Sequence, residues 1–178
     1  MNTRAFWLRR WLWLVAGLGL ACATLAQTSA DSAADGIVGD WLVQSRDAII
    51  RIERQGDTYG GTIVWQLHDT YGPEDGPELN GKTVTDRHNP DPSLRSRPLT
   101  GLHLLWGLRY DASEHAWVDG HVYNSDNGKD YHCQVHLPSA DRLVLHGYIG
   151  ITLLGGNTTW TRTREPFPAV ARSAADAH

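Results

Sequence analysis

Val118-Asp119-Gly120-His121-Val122-Tyr123-Asn124-Ser125-Asp126-Asn127-Gly128-Lys129-Asp130-Tyr131-His132-Cys133-Gln134-Val135 alternates apolar with polar residues on both sides of Asp126-Asn127-Gly128. A period of two marks a strand with one buried face. Asp, Asn and Gly accept the positive φ that a tight hairpin requires. The stretch predicts two antiparallel strands and a turn. A one-residue slip would turn every side chain to the opposite face, so the pattern itself specifies register. Pairing Asn124 with Lys129 sets Val118, Gly120 and Val122 opposite Val135, Cys133 and Tyr131. Pairing Leu137 with Leu143 then sets Val135 opposite Leu145 and Cys133 opposite Gly147, which extends one apolar face.

The same rule continues backward to Leu104, Trp106 and Leu108. Strands are expected near 38–45, 47–55, 58–67, 101–110, 116–124, 129–137, 142–149 and 157–164. Gln55-Gly56-Asp57 supplies a second tight turn, and Gly155-Gly156-Asn157 reads as a turn before the last strand. No sustained helical period follows the N-terminal segment. The fold class predicted is all-β: an antiparallel up-and-down barrel of about eight strands, filled or holding one small ligand.

Residues 1–26 carry Arg4, Arg9 and Arg10 and no acid, and 11–25 is almost wholly apolar. This reads as a secretory signal peptide, short of the roughly 20 residues a membrane-spanning helix needs. Cleavage fits after Ala26 or Ala23, with Cys22 as a lipoprotein alternative, and the mature chain is expected to be periplasmic or secreted. Residues 27–36 read as a flexible leader, 37–164 as one barrel domain and 165–178 as a disordered tail. Removal of three arginines makes the formal net charge of −4 three units more negative. An acidic surface argues against nucleic acid or anionic lipid as partner. Of the two cysteines only Cys133 would remain, so stability must come from the core rather than from a disulfide.

Residues 67–101 break the pattern with Gly72-Pro73, Gly76-Pro77, Asn80-Gly81 and Asn89-Pro90-Asp91-Pro92. Long loops in compact domains are usually functional or irregular. This one reads as a decorated surface loop or as a lid over one barrel mouth, with Asp86, Asn89, Arg95 and Arg97 as its polar groups.

Within it, Asp86-Arg87-His88-Asn89-Pro90-Asp91 and Leu94-Arg95-Ser96-Arg97-Pro98-Leu99-Thr100-Gly101-Leu102 resemble a secreted bacterial family catalogued as domain of unknown function 2147. Gly120-His121-Val122-Tyr123 with Gly128-Lys129-Asp130-Tyr131 agrees, as does Gly147-Tyr148-Ile149-Gly150-Ile151 through Leu153-Leu154-Gly155 to Trp160-Thr161-Arg162. The resemblance spans roughly 36–164. It implies a lipocalin-like fold and carries no established activity. Asn124-Ser125 departs from the Asp-Pro usual in the family, and the long loop lacks the cysteines of some relatives. Gly39-Asp40-Trp41 is similar to the Gly-x-Trp of lipocalin first strands, where an arginine from the last strand lies across the indole. That resemblance implies a structural role for Gly39, Trp41 and Arg162.

Catalytic readings find little purchase. His121, His132, His136 and His146 fall on neighbouring strands, but His132 and His136 would lie about 13 Å apart, too far to share an ion held at about 2.0–2.1 Å. Only His121 and His132, directly opposed, could form a weak pair, and neither metal nor cofactor is expected. Cys133 alternates with Tyr131 and Val135 and reads as buried and inert. No Gly-x-Ser-x-Gly elbow occurs. Carboxylate pairs Asp86 with Asp91 and Asp119 with Asp130 suit turns and an outward face better than hydrolysis. The expected function is non-catalytic binding of a small apolar or amphiphilic ligand. Trp65, Leu104, Trp106, Tyr131 and Trp160 are the expected lining, with Arg95 and Arg97 at the mouth for an acidic head group. The alternatives are a hydrolase-like envelope enzyme working at loop 86–97, and a filled barrel whose outward Trp117, Tyr123 and Tyr148 dock a protein.

Overall fold

The computed structural model describes residues 31–150, 155–165 and 167. The expected signal peptide, its cleavage site and most of the C-terminal tail lie outside the described residues. The described residues belong to two units, divided between Asp35 and Gly36. In the first, residues 31–34, expected within a leader, are helical and run into a 3-10 turn at Asp35–Ile37.

The second unit is a closed antiparallel barrel in which each strand pairs with its sequence neighbours and the last returns to the first. The strands are β1 (Gly39–Leu42), β2 (Ala48–Gln55), β3 (Thr58–Gln66), β4 (His103–Asp111), β5 (Ala116–Asn124), β6 (Lys129–Ser139), β7 (Arg142–Tyr148) and β8 (Gly155–Thr163). Connections therefore alternate between two ends. The β2–β3, β4–β5 and β6–β7 turns lie at one end with the start of β1; the β1–β2, β3–β4, β5–β6 and β7–β8 connections lie at the other. Closure leaves no unpaired edge strand.

The β5–β6 hairpin pairs Asn124 with Lys129, Val122 with Tyr131 and Gly120 with Cys133, as the alternation requires. Beyond Gly120 the register shifts, and Val135 pairs with Trp117 instead of Val118. The cause is a bulge at Val118 and Asp119, where Asp119 takes φ 60°. One extra residue reverses the facing of all that precede it. Trp117, expected outside, is thus inside and only 2% exposed, its ring tilted 5.0 Å from that of Tyr110.

β4 departs in the same way. Tyr59 pairs with Leu108 but Gly61 with Leu105, so three residues of β4 match two of β3, with Gly107 at φ 75° in the extra step. Leu105 and Leu108 are fully buried, and Trp106 points out of the barrel. A shift between Ile49 and Ile50 pairs Trp65 with Ile49 rather than with Ala48. Gly155-Gly156-Asn157 is strand, not turn, because β8 begins at Gly155.

Candidate functional site

The alternation of β2, β3, β7 and β8 puts Ile50, Ile63, Leu145 and Trp160 on the inner face, and together they wall a cavity of about 630 Å³. Leu104, Val122 and Tyr131 extend its apolar part, with Val43, Ala48 and Leu99 nearer the mouth, while Gly147 and Gly156, paired across β7 and β8, leave room. The volume lies within the roughly 300–1,000 Å³ of small-molecule sites. The cavity opens at the end bearing the β1–β2, β3–β4, β5–β6 and β7–β8 connections. Its rim is polar: Ser45, Asp47, Gln66, His68, Asn124 and Asp126, with Asn157 and Thr158 from β8.

The opposite end is shut by Trp41 and Arg162. Trp41 is fully buried and donates its indole N–H to Ile37 O at 2.8 Å. The Arg162 guanidinium lies 4.2 Å above the ring and donates to Ala140 O, Val38 O and Gly36 O at 2.7, 2.8 and 2.7 Å. Gly39 is required twice: its φ is 137°, and a Cβ there would meet Arg162 Nη1 at 2.5 Å. These contacts tie the chain entering β1 to the last strand and to the β6–β7 turn.

The long loop is ordered by its own contacts. Bridges join Thr70 to Thr83 and Thr85 to Pro98. Its centre is Asp86, fully buried. Asp86 Oδ1 accepts from Tyr123 Oη at 2.6 Å; Oδ2 accepts from Asn89 Nδ2 at 2.7 Å and from Arg97 Nε and Nη2 at 2.9 and 2.8 Å. Asn89 Nδ2 also donates to Tyr123 Oη at 3.1 Å, and Arg95 Nε donates to Asn89 O at 2.7 Å. Tyr123 follows the inward Val122 and so faces out of the barrel, where the loop covers it. Burial and the neighbouring carboxylate push its phenol up to about 12. A carboxylate with four donors and no exposed surface is a clamp: it holds the loop to the outer side of β5. Asp86, Asn89 and Arg97 thus serve this clamp rather than a lid face, and among the described residues the loop reaches the mouth through His68 and Leu99.

Asp91, weighed with Asp86 as a carboxylate pair, accepts from Ser93 N and Oγ at 2.9 and 2.8 Å and caps the 3-10 turn Pro92–Leu94. Those bonds hold its carboxyl below its ordinary range.

On the outer face, Trp106 stacks on His121 (5.6 Å), His121 meets His132 (4.7 Å), and Tyr148 stacks on His132 and on His146 (5.7 and 5.8 Å). Among the described residues no group of three or more His, Cys, Asp or Glu is placed to hold a metal. Cys133 is buried inside, and desolvation pushes its thiol up to about 12. Such a thiol is a poor nucleophile.

Of the residues expected to line the cavity, Leu104, Tyr131 and Trp160 do so. Trp65 is buried outside it, its indole N–H without a partner among the described residues. Trp106 belongs to the outer stack. Arg97 is held by Asp86, and Arg95 borders a separate cleft of about 470 Å³ within the loop, beside Lys82 and Tyr71. The docking patch of Trp117, Tyr123 and Tyr148 does not form, because the bulge buries Trp117 and the loop buries Tyr123. The rim residues Asp47, His68, Asp126 and Asn157 escaped the pattern reading. Strand direction was the available signal: all four lie at or beyond strand ends that share one barrel end.

No curated protein sequence matches the chain. Among solved structures, one described as "Protein HP1028 from the human pathogen Helicobacter pylori belongs to the lipocalin family" superposes with a TM-score of 0.58 at 20% identity, covering 72% of this chain and 84% of that one. At that identity the likeness establishes the shared lipocalin-like barrel. The model of a family described as "Uncharacterized protein conserved in bacteria (DUF2147)" matches residues 39–162, from the glycine that opens β1 to the arginine that closes the barrel end, and the chain belongs to that family.

Proposed function

We propose that this protein is a non-catalytic binder of a small, largely apolar or amphiphilic molecule, working in the periplasm or outside the cell. The observation that carries this reading is the open cavity of about 630 Å³ with Ile50, Ile63, Leu104, Val122, Leu145 and Trp160 on its walls. Burial of apolar area drives such binding at about 25 cal/mol per Å². The lipocalin-like fold is consistent with it. The arginine-rich N-terminal segment with its apolar run supports export.

Intrinsic tryptophan fluorescence supplies the test, since Trp160 forms part of the wall. Titration with decane-chain amphiphiles and with a neutral naphthylamine probe is expected to shift or quench emission saturably at one site per chain. A panel that leaves emission and heat signals unchanged rejects the proposal. Mass spectrometry of the N-terminus of protein from a bacterial periplasm tests export: an uncleaved chain would overturn it.

A further inference from the structure

We infer that the cavity selects ligands whose polar end is cationic or neutral and hydrogen-bond-donating, such as an alkylamine or an alcohol, over fatty-acid carboxylates. This rests on the cavity reading above, and the rim residues only choose among its ligands. Two carboxylates, Asp47 from the β1–β2 connection and Asp126 from the β5–β6 turn, border the mouth, and no Lys or Arg lines it among the described residues. The other rim groups are Ser45, Gln66, Asn124, Asn157 and Thr158, which are uncharged, and the imidazole of His68.

The arginines that would suit an acidic head are committed elsewhere. Arg97 gives Nε and Nη2 to Asp86, and Arg95 gives Nε to Asn89 O and borders the other cleft. Arg46 and Lys129 are exposed near the same end without lining the cavity. The β7–β8 connection adds no charge, since 149–154 reads Ile-Gly-Ile-Thr-Leu-Leu.

Asp47 Oδ1 accepts the Ser45 hydroxyl at 2.5 Å, which steadies that carboxylate at the rim with its second oxygen left over. A cationic head entering tail-first would come to rest between the two acids while its chain met Ile50, Ile63 and Trp160. A carboxylate head would meet them with repulsion. The net negative charge of the chain adds a field of the same sign.

Matched tails isolate the head. Decylamine, decanol and decanoate are titrated against the full mature chain at neutral pH and low salt, then again at high salt. Decylamine is expected to bind about tenfold tighter than decanoate, with decanol between, and the ratio should shrink with salt. The double variant Asp47→Asn/Asp126→Asn should bring amine and carboxylate within about twofold of each other, and an amine preference that survives it overturns the role of the two acids. Decanoate binding as tightly as decylamine, with decanol also bound, overturns the selectivity and leaves the cavity reading standing. Failure of all three to bind overturns the cavity reading and this inference with it.

Discussion

Replacing Gly156 with valine should block the cavity without harming the barrel. Gly156 is the second residue of β8, on the stretch of wall nearest the mouth, opposite Gly147 and in phase with Thr158 and Trp160, all of which line the space. A Cβ built there meets nothing within 4 Å, and its φ is not in the left-handed region. The three added carbons would therefore project into the cavity, displacing about three methylenes of a bound chain. At about 0.8 kcal/mol per buried methylene this removes about 2.4 kcal/mol of binding, or roughly 60-fold in affinity. Stability should hold or rise by about 0.5–1 kcal/mol, because glycine weakens a strand interior and β-branched residues suit one. The assay pairs decanol titration by tryptophan fluorescence or calorimetry with urea unfolding of the same samples. A valine variant that is as stable as the parent and binds decanol equally well would refute the placement of the ligand among these walls.

Arg162→Ala should destabilise the barrel by about 3–4 kcal/mol, since it removes a cation–π contact and three charge-assisted hydrogen bonds at a partly wetted end. Arg162→Lys should recover less than half, because an ammonium cannot span three carbonyls; urea midpoints at constant slope check both. Asp86→Asn should cost about 2–3 kcal/mol by setting an amide against the Arg97 and Asn89 donors. Protease cleavage within 67–101 should accelerate in that variant, and unchanged cleavage would contradict the clamp. Tyr123 titrates near 12 when folded against about 10 when unfolded. Its contribution is therefore fully present below about pH 10 and is lost as pH rises through 12. Tyr123→Phe should flatten the alkaline limb of the stability profile between those values.

Much of this architecture was legible in residue order. Alternation around Asp126-Asn127-Gly128 specified the hairpin pairing from Asn124 to Gly120, and about eight sequential strands sharing one apolar face implied closure. Trp41 and Arg162 meet because the first and last strands of a closed barrel must pair. The cavity was less legible. A pattern of apolar faces does not say whether the side chains that share an interior fill it, since that depends on how they interdigitate and on where glycines such as Gly147 and Gly156 fall opposite one another.

The sequence by itself determined the all-β class, the number and order of the strands and the inward face of β6 and β7, because period-two alternation and turn chemistry are local properties. Tertiary structure alone decided three things. Single-residue bulges at Asp119 and within β4 turned Trp117 inward and Trp106 outward, and a bulge is set by the partner strand more than by its own residues. Asp86 found Tyr123 across 37 positions of chain, a pairing that no spacing rule encodes. That pairing also holds Arg97 on Asp86, and the acids that border the mouth, Asp47 and Asp126, come from the β1–β2 and β5–β6 connections, beside His68.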